Sequence, residues 1–308
     1  MIYFALLLPL AVLLVYSVFS AFKYTRMISN IFIGLVYKPS WLPNTPARGE
    51  KISILDSSDK EIQALVVEKK NPRCTVIFCH ESGATKESWE KYISFLPESG
   101  CRLLSIDFDE KTREGEANAL TQWPEEADIE RLLTVIRWVK KAYDSSPILL
   151  FGVSKGANIA LGASFKTPAA SAVIADGLFS MKEIFRDYIR KWAPILVKPN
   201  LFGERYPAWV VNIFTQLGFW HCERRSGKKF IDVEKLLRKK HVPLLMIHGE
   251  NDDYVSNHHQ KFLERLERTR ELGAHLVIPD AGHNEAVTLK RDLYEKKVTN
   301  FLNRILTA

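Results

Sequence analysis

Ser154, Asp252 and His283 are the residues whose types and surroundings could do chemistry together, and that chemistry is acyl transfer. Ser154 sits in Gly152-Val153-Ser154-Lys155-Gly156, between the apolar run Ile148–Phe151 and the small-residue run Ala157–Gly162. A strand–turn–helix of this kind holds a serine hydroxyl at a sharp, exposed apex, and a Cβ at either glycine would meet the neighbouring backbone. A serine hydroxyl is a weak nucleophile until a base takes its proton, and that base needs a third group to orient it. Asp252 follows the apolar run Val242–Gly249, and His283 follows the run Ala274–Ile278. Both therefore leave the carboxyl ends of predicted strands, the edge at which open α/β sheets gather their ligands.

With the order Ser154, Asp252, His283 on these elements, the chain resembles the α/β-hydrolases over roughly residues 50–306. The resemblance implies a mainly parallel central sheet with helices on both faces and a helical cap insertion. It also implies an acid in the loop Gly249-Glu250-Asn251-Asp252-Asp253-Tyr254-Val255, at Asp252, and a base at His283 after Gly282. Asp253 is the neighbour that could take the place of Asp252, and Asp176, after the strand Ala172–Ala175, is a less usual position for the acid. Two backbone N–H groups should hold the oxyanion. One is that of Lys155, next to the serine; the other is that of Ser82, in the loop His80-Glu81-Ser82-Gly83 after the strand beginning at Thr75. Relatives usually carry His-Gly there, so Glu81 is a departure. A glutamate beside a developing negative charge is unfavourable unless its side chain turns away. The charged segment Asp109–Glu116 is a second departure from the short Arg-Gly-x-Gly of many relatives. His80 is expected to brace its loop and His248 to be structural, while His221, His241, His258, His259 and His275 are expected to be solvated.

The elements that must position these residues are legible in the hydrophobic pattern. The 308 residues are 46% hydrophobic and 26% charged, ample for one sizeable core. Near-continuous apolar strands alternate with helical segments at Lys86–Glu98, Pro124–Tyr143 and Asn257–Leu272, which implies a parallel sheet covered on both faces. Lys51–Leu55 and Glu61–Val67 should open the sheet as a hairpin-like pair. Over about 181–240 the alternation lapses, and Trp192, Trp209, Phe214, Phe219 and Trp220 stand among Arg186, Arg190, Lys191 and Lys198. This is the expected cap insertion of a hydrolase domain over 51–308. Its aromatics could line an acyl pocket, form the cap's own core, or meet a bilayer interface.

Ile2–Phe22 is an uncharged, apolar stretch of 21 residues, long enough at about 1.5 Å per residue to span a hydrocarbon core of roughly 30 Å. It is expected to be a retained transmembrane anchor. A cleavable signal peptide cut after Ser20 is the alternative, but no basic residue precedes the run. Lys23 and Arg26 follow it, which places the catalytic domain on the cytoplasmic side. Residues 23–50 form the juxtamembrane segment and linker, with Ile31–Trp41 lying along the interface. Cys74, Cys79, Cys101 and Cys222 show neither a disulfide framework nor zinc spacing. The formal charge of +7 favours anionic lipid surfaces over nucleic acid, since the positive residues are spread along the chain and no nucleic-acid module appears. The expected function is a membrane-anchored serine hydrolase cleaving an acyl ester or thioester, small-molecule or lipid, without a metal or organic cofactor. An acyltransferase or peptidase could use the same triad, and a non-catalytic scaffold is a different class that the complete set Ser154, Asp252, His283 argues against.

Overall fold

A computed structural model describes residues 2–33, 47–56, 59–108, 122–143, 146–197, 203, 205–239, 242–267 and 274–307. Asp109–Glu116, His241 and most of Ile31–Trp41 lie outside them. Eight strands form one sheet: β1 (Glu50–Leu55), β2 (Glu61–Val67), β3 (Thr75–Cys79), β4 (Arg102–Ile106), β5 (Ile148–Val153), β6 (Ala170–Asp176), β7 (Leu244–Gly249) and β8 (Ala274–Ile278). Their spatial order is β1-β2-β4-β3-β5-β6-β7-β8. β1 and β2 are the expected antiparallel pair, β2 joins β4 antiparallel, and every later pairing is parallel.

Every residue of β3, β5 and β7 is buried, which explains their unbroken apolar sequences: a strand covered on both faces has no polar side to show. Leu150 and Ile148 face one layer, which includes Leu132 and Val135 of α3 (Glu126–Ala142), Ile159 of α4 (Lys155–Ser164), Leu237 of α7 (Val233–Leu237) and Leu263 of α8 (Asn257–Leu266). Leu149, Phe151 and Val153 face the opposite layer. There they meet α2 (Trp89–Ile93), α9 (Ala286–Leu289) and α10 (Arg291–Thr307). The helix expected over Lys86–Glu98 is shorter than predicted, a single 3₁₀ turn at Lys86–Ser88 followed by α2. α3 begins with a reciprocal capping box between Glu125 and Asp128 and ends with Lys140 and Lys141, charges suited to the two ends of the helix dipole.

The chain forms two compact units. Residues 36–181 with 229–308 contain the whole sheet, and residues 1–35 with 182–228 form the other. The second unit consists of α1 (Ile2–Ile33), α5 (Met181–Leu196, its first residue belonging to the sheet unit) and α6 (Ala208–Ser226). Tyr24, Ile28, Ser29 and Phe32 of α1 are buried. Ser29 Oγ donates to the Gly218 carbonyl at 3.3 Å, and the Phe32 ring stands edge-on to Phe185 at 4.9 Å. A side chain at Gly218 would strike Phe185, with its Cβ 2.3 Å from that ring. α1 thus runs past Phe22 through Lys23 and Arg26, and the last third of the helix serves this packing. Among the described residues no helix is long and apolar enough to cross a membrane, so the expected transmembrane anchor over Ile2–Phe22 is not supported. The segment expected as a cap also ends earlier: residues 229–239 belong to the sheet unit, where Phe230 bridges to Glu125.

Candidate active site

β5 ends at Val153, and α4 starts two residues later. Between them Ser154 takes φ 51°, ψ −114°, a conformation non-glycine residues rarely adopt and one that costs about 1–3 kcal/mol where surroundings enforce it. Those surroundings are specific. A Cβ on Gly152 would lie 2.2 Å from the Gly156 carbonyl oxygen, and one on Gly156 would lie 2.1 Å from that of Cys79. Ser154 N–H donates to the Asp176 carbonyl at 2.7 Å, and the Ser154 carbonyl accepts from Ala157 and Asn158. Strand end, turn and helix start are thus locked together behind the hydroxyl.

Ser154 Oγ lies 3.0 Å from His283 Nε2, and His283 Nδ1 lies 2.6 Å from Asp252 Oδ2. The other Asp252 oxygen, Oδ1, accepts from Tyr254 N–H at 2.8 Å and Val255 N–H at 2.6 Å. The loop after β7 therefore fixes one carboxylate oxygen by its own backbone and aims the other at the imidazole. All three side chains come from the sheet unit, and all are largely buried. Asp253 is exposed. Asp176 is fully buried, and its Oδ2 accepts from Tyr294 OH at 2.9 Å. Burial drives its carboxyl up to about 7, and the phenols of Tyr294 and Tyr92 are driven up by burial as well. Burial also lowers the Lys91 ammonium.

Glu81 turns away from the turn that follows β3. Its carboxylate accepts from Tyr92 OH at 2.9 Å and Ser88 Oγ at 3.2 Å, both around α2. His80 bonds the Glu81 carbonyl through Nδ1 at 2.7 Å and accepts Phe108 N–H on Nε2 at 3.2 Å, so it braces the loop as a neutral ring with its proton on Nδ1. Ser82 is buried in this loop. Lys155 opens α4, where the helix dipole favours negative charge, and its side chain runs inward with Nζ 3.5 Å from Asp128.

Aromatic residues that the sequence reading did not single out stand beside the histidine. Tyr254 lies 5.0 Å from the His283 ring, Phe179 stands edge-on to Tyr254 at 6.0 Å, and Trp123 lies 6.3 Å from Phe179. Asn158 grips the Phe179 backbone on both sides, donating to its carbonyl and accepting its N–H. His259, expected to be solvated, is buried and accepts Ser180 N–H at 2.8 Å, which pins the same segment. His275 is half-buried and paired with Glu267 at 2.9 Å, which raises it above the usual histidine range. His248 is buried, and burial lowers it. The four cysteines are buried and unbridged, with Cys74 and Cys101 Sγ atoms 3.4 Å apart. Among the described residues no three His, Cys, Asp or Glu side chains gather as metal ligands.

No known family's sequence profile matches the chain. It is 23% identical over 260 residues to a Haemophilus influenzae protein assigned as 2-succinyl-6-hydroxy-2,4-cyclohexadiene-1-carboxylate synthase, across 75% of this chain and 98% of that one. Among solved structures it resembles the Pyrococcus furiosus esterase Pf2001, with TM-score 0.62 and 21% identity over 88% of this chain and 98% of that one. It also resembles the Thermogutta terrifontis esterase Est2, with TM-score 0.59 and 13% identity over 86% and 94%. The dienelactone hydrolase of Anabaena variabilis aligns with TM-score 0.55 and 18% identity over 82% and 97%. The sheet order and these alignments give the chain the α/β-hydrolase fold.

Proposed function

We propose that this chain is a serine hydrolase that cleaves a carboxylic ester or thioester through an acyl-enzyme. The observation that carries the reading is the continuous relay from Ser154 to His283 to Asp252, at 3.0 and 2.6 Å, with Asp252 pinned from behind by two N–H donors. Ser154 Oγ attacks the substrate carbonyl carbon as its proton passes to His283 Nε2, and the Asp252 carboxylate stabilises the resulting imidazolium. The N–H groups of Lys155 and Ser82 hold the oxyanion. His283 returns the proton to the leaving alcohol or thiol. A water, deprotonated by the same imidazole, then releases the acid and restores Ser154.

The Trp123–Phe179–Tyr254 wall supports an apolar group on the substrate. The same reading attaches the protein to a membrane through the amino-terminal part of α1. Its exposed Leu8, Val12, Val15, Val18, Phe19 and Phe22 support this; full release of the chain from membranes by high salt and carbonate counts against it.

A fluorophosphonate probe should label the wild-type protein and not Ser154→Ala, and the variant should lose p-nitrophenyl ester hydrolysis while melting at nearly the same temperature. Labelling that survives in Ser154→Ala sinks the assignment. The likeness to a protein named as a synthase favours a second reading, in which Ser154 and His283 serve a reaction other than ester hydrolysis. Hydrolysis of p-nitrophenyl esters with a burst of one p-nitrophenol per Ser154 speaks for the first reading; a folded, labelled protein without ester turnover speaks for the second.

A further inference from the structure

α6 carries large apolar side chains on both of its faces. One face is consumed inside its own unit, where Val210, Val211, Gly218, Phe219 and Cys222 are buried. The other shows Trp209, Ile213, Leu217 and Trp220 to solvent, with Trp209 62% and Trp220 56% exposed. The spacing of these four, at positions i, i+4, i+8 and i+11, puts them on one stripe, and at 1.5 Å per residue the stripe is about 16 Å long. Asn212 and Gln216 share this exposed side, but four large apolar side chains in one exposed stripe exceed the scattered apolar residues of an ordinary surface and mark an interaction site.

Charge indicates what covers it. Basic residues are spread along the sequence, but their excess is not. Residues 1–35 with 182–228 hold eleven Lys and Arg against four Asp and Glu, whereas the sheet unit holds 32 of each, so the whole formal charge of +7 lies in the unit that contains α6. Arg224 and Arg225 close the helix, and the Arg224 guanidinium lies over the Trp220 ring at 5.3 Å. Tryptophans at both ends of an apolar stripe, with Arg224 against one of them, suit the headgroup boundary of a bilayer. Each basic residue there adds attraction to anionic lipid. A second copy of the chain is a poor cover for the same reason, because two surfaces of charge +7 repel each other.

We infer that the outer face of α6, carried by Trp209, Ile213, Leu217 and Trp220 with Arg224, docks on the interface of an anionic lipid bilayer. The helix lies in the membrane plane and spans nothing. The inference goes beyond the hydrolase reading and stands without it.

The test uses the full chain, diluted from detergent into vesicles of phosphatidylcholine alone or with 30% phosphatidylglycerol (about that fraction suffices to set a negative surface potential). An environment-sensitive fluorophore is placed on Ile213→Cys, the native cysteines all being buried, and separately on Val15→Cys of α1. The Ile213 reporter should shift to the blue and be quenched by brominated lipid in the anionic vesicles, and 0.5 M salt should weaken this. Trp209→Ser with Trp220→Ser should lower the affinity for anionic vesicles at least about tenfold, and Arg224→Glu about threefold, with ester turnover in solution unchanged. A Val15 reporter that enters lipid while Ile213 stays in water overturns the inference and leaves attachment through α1 standing. Silence from both reporters overturns both ideas. A blue shift of Ile213 that grows with protein concentration in the absence of vesicles also overturns it, since the cover is then another copy.

Discussion

The carboxyl ends of β6 and β7 each bring an aspartate close to His283, and the two are held in opposite ways. Asp252, after β7, receives two backbone N–H groups and the imidazole. Asp176, the last residue of β6, receives one phenol and is otherwise stripped of water, so its carboxyl rises to about 7. An acid that must answer a positive imidazolium has to be aligned as well as near, and only Asp252 is bonded to the ring. Nearness alone would not separate them, because a Cβ on Gly177, next to Asp176, would already lie 3.1 Å from His283 Cε1. In the proposed mechanism the loop that supplies N–H donors, more than the position along the strand edge, selects the acid.

The largest expected effect comes from breaking the favoured side of this comparison. Asp252→Asn should lower kcat on a p-nitrophenyl ester by about 10⁴-fold, by leaving the imidazole in the wrong tautomer, with little change in KM. Activity within tenfold of wild type would overturn the choice of Asp252, and a collapse in Asp176→Asn instead would transfer the role to β6. Asp176→Asn is expected to keep turnover within about tenfold and to show itself in stability. Because the folded carboxyl titrates near 7 and the unfolded one near 3.8, the native state binds the extra proton between those values. Its contribution to stability is therefore full below the lower value and declines as pH rises through the folded value. The asparagine variant lacks that decline. From pH 5 to pH 8 its unfolding free energy should gain on wild type by about 3 kcal/mol, measured by urea denaturation; a difference independent of pH would mean that Asp176 is ionised throughout.

The same contrast between local and distant partners explains what the sequence made legible. The sheet, the Ser154 turn and the two strand-end loops could be read because each is written in a few consecutive residues: an apolar run, two glycines, an aspartate three residues before Val255. The Phe179 segment could not, since its position depends on Asn158 and His259, 21 and 80 residues away. A histidine in a polar helix start reads as solvated until the backbone N–H of Ser180 is brought to it. α1 runs further than its apolar stretch suggests for a related reason. Lys23 and Arg26 look like the end of an apolar span, yet Tyr24, Ile28 and Phe32 continue at spacings of four, and that stripe is what packs against α6 and α5. The spacing was present in the sequence, but its partners lie in the segment 182–228.

Glu81 offers the smallest effect and the finest test of the comparison. In sequence it stands beside Ser82, where a negative charge would oppose an oxyanion. In the fold its carboxylate is taken up by Tyr92 and Ser88, and the charge it carries there helps hold the Asp176 carboxyl up. Its influence thus falls on the desolvated acid behind the site and spares the reaction in front of it. Glu81→Gln keeps an acceptor for Tyr92 and removes the charge, so the pH at which wild-type stability declines should move down by less than about one unit, a shift worth about 1 kcal/mol. Turnover should change less than about threefold, since no bond to substrate is lost. A tenfold rise in kcat with an unmoved stability profile would reverse the assignment, because Glu81 would then be acting on the oxyanion and not on Asp176.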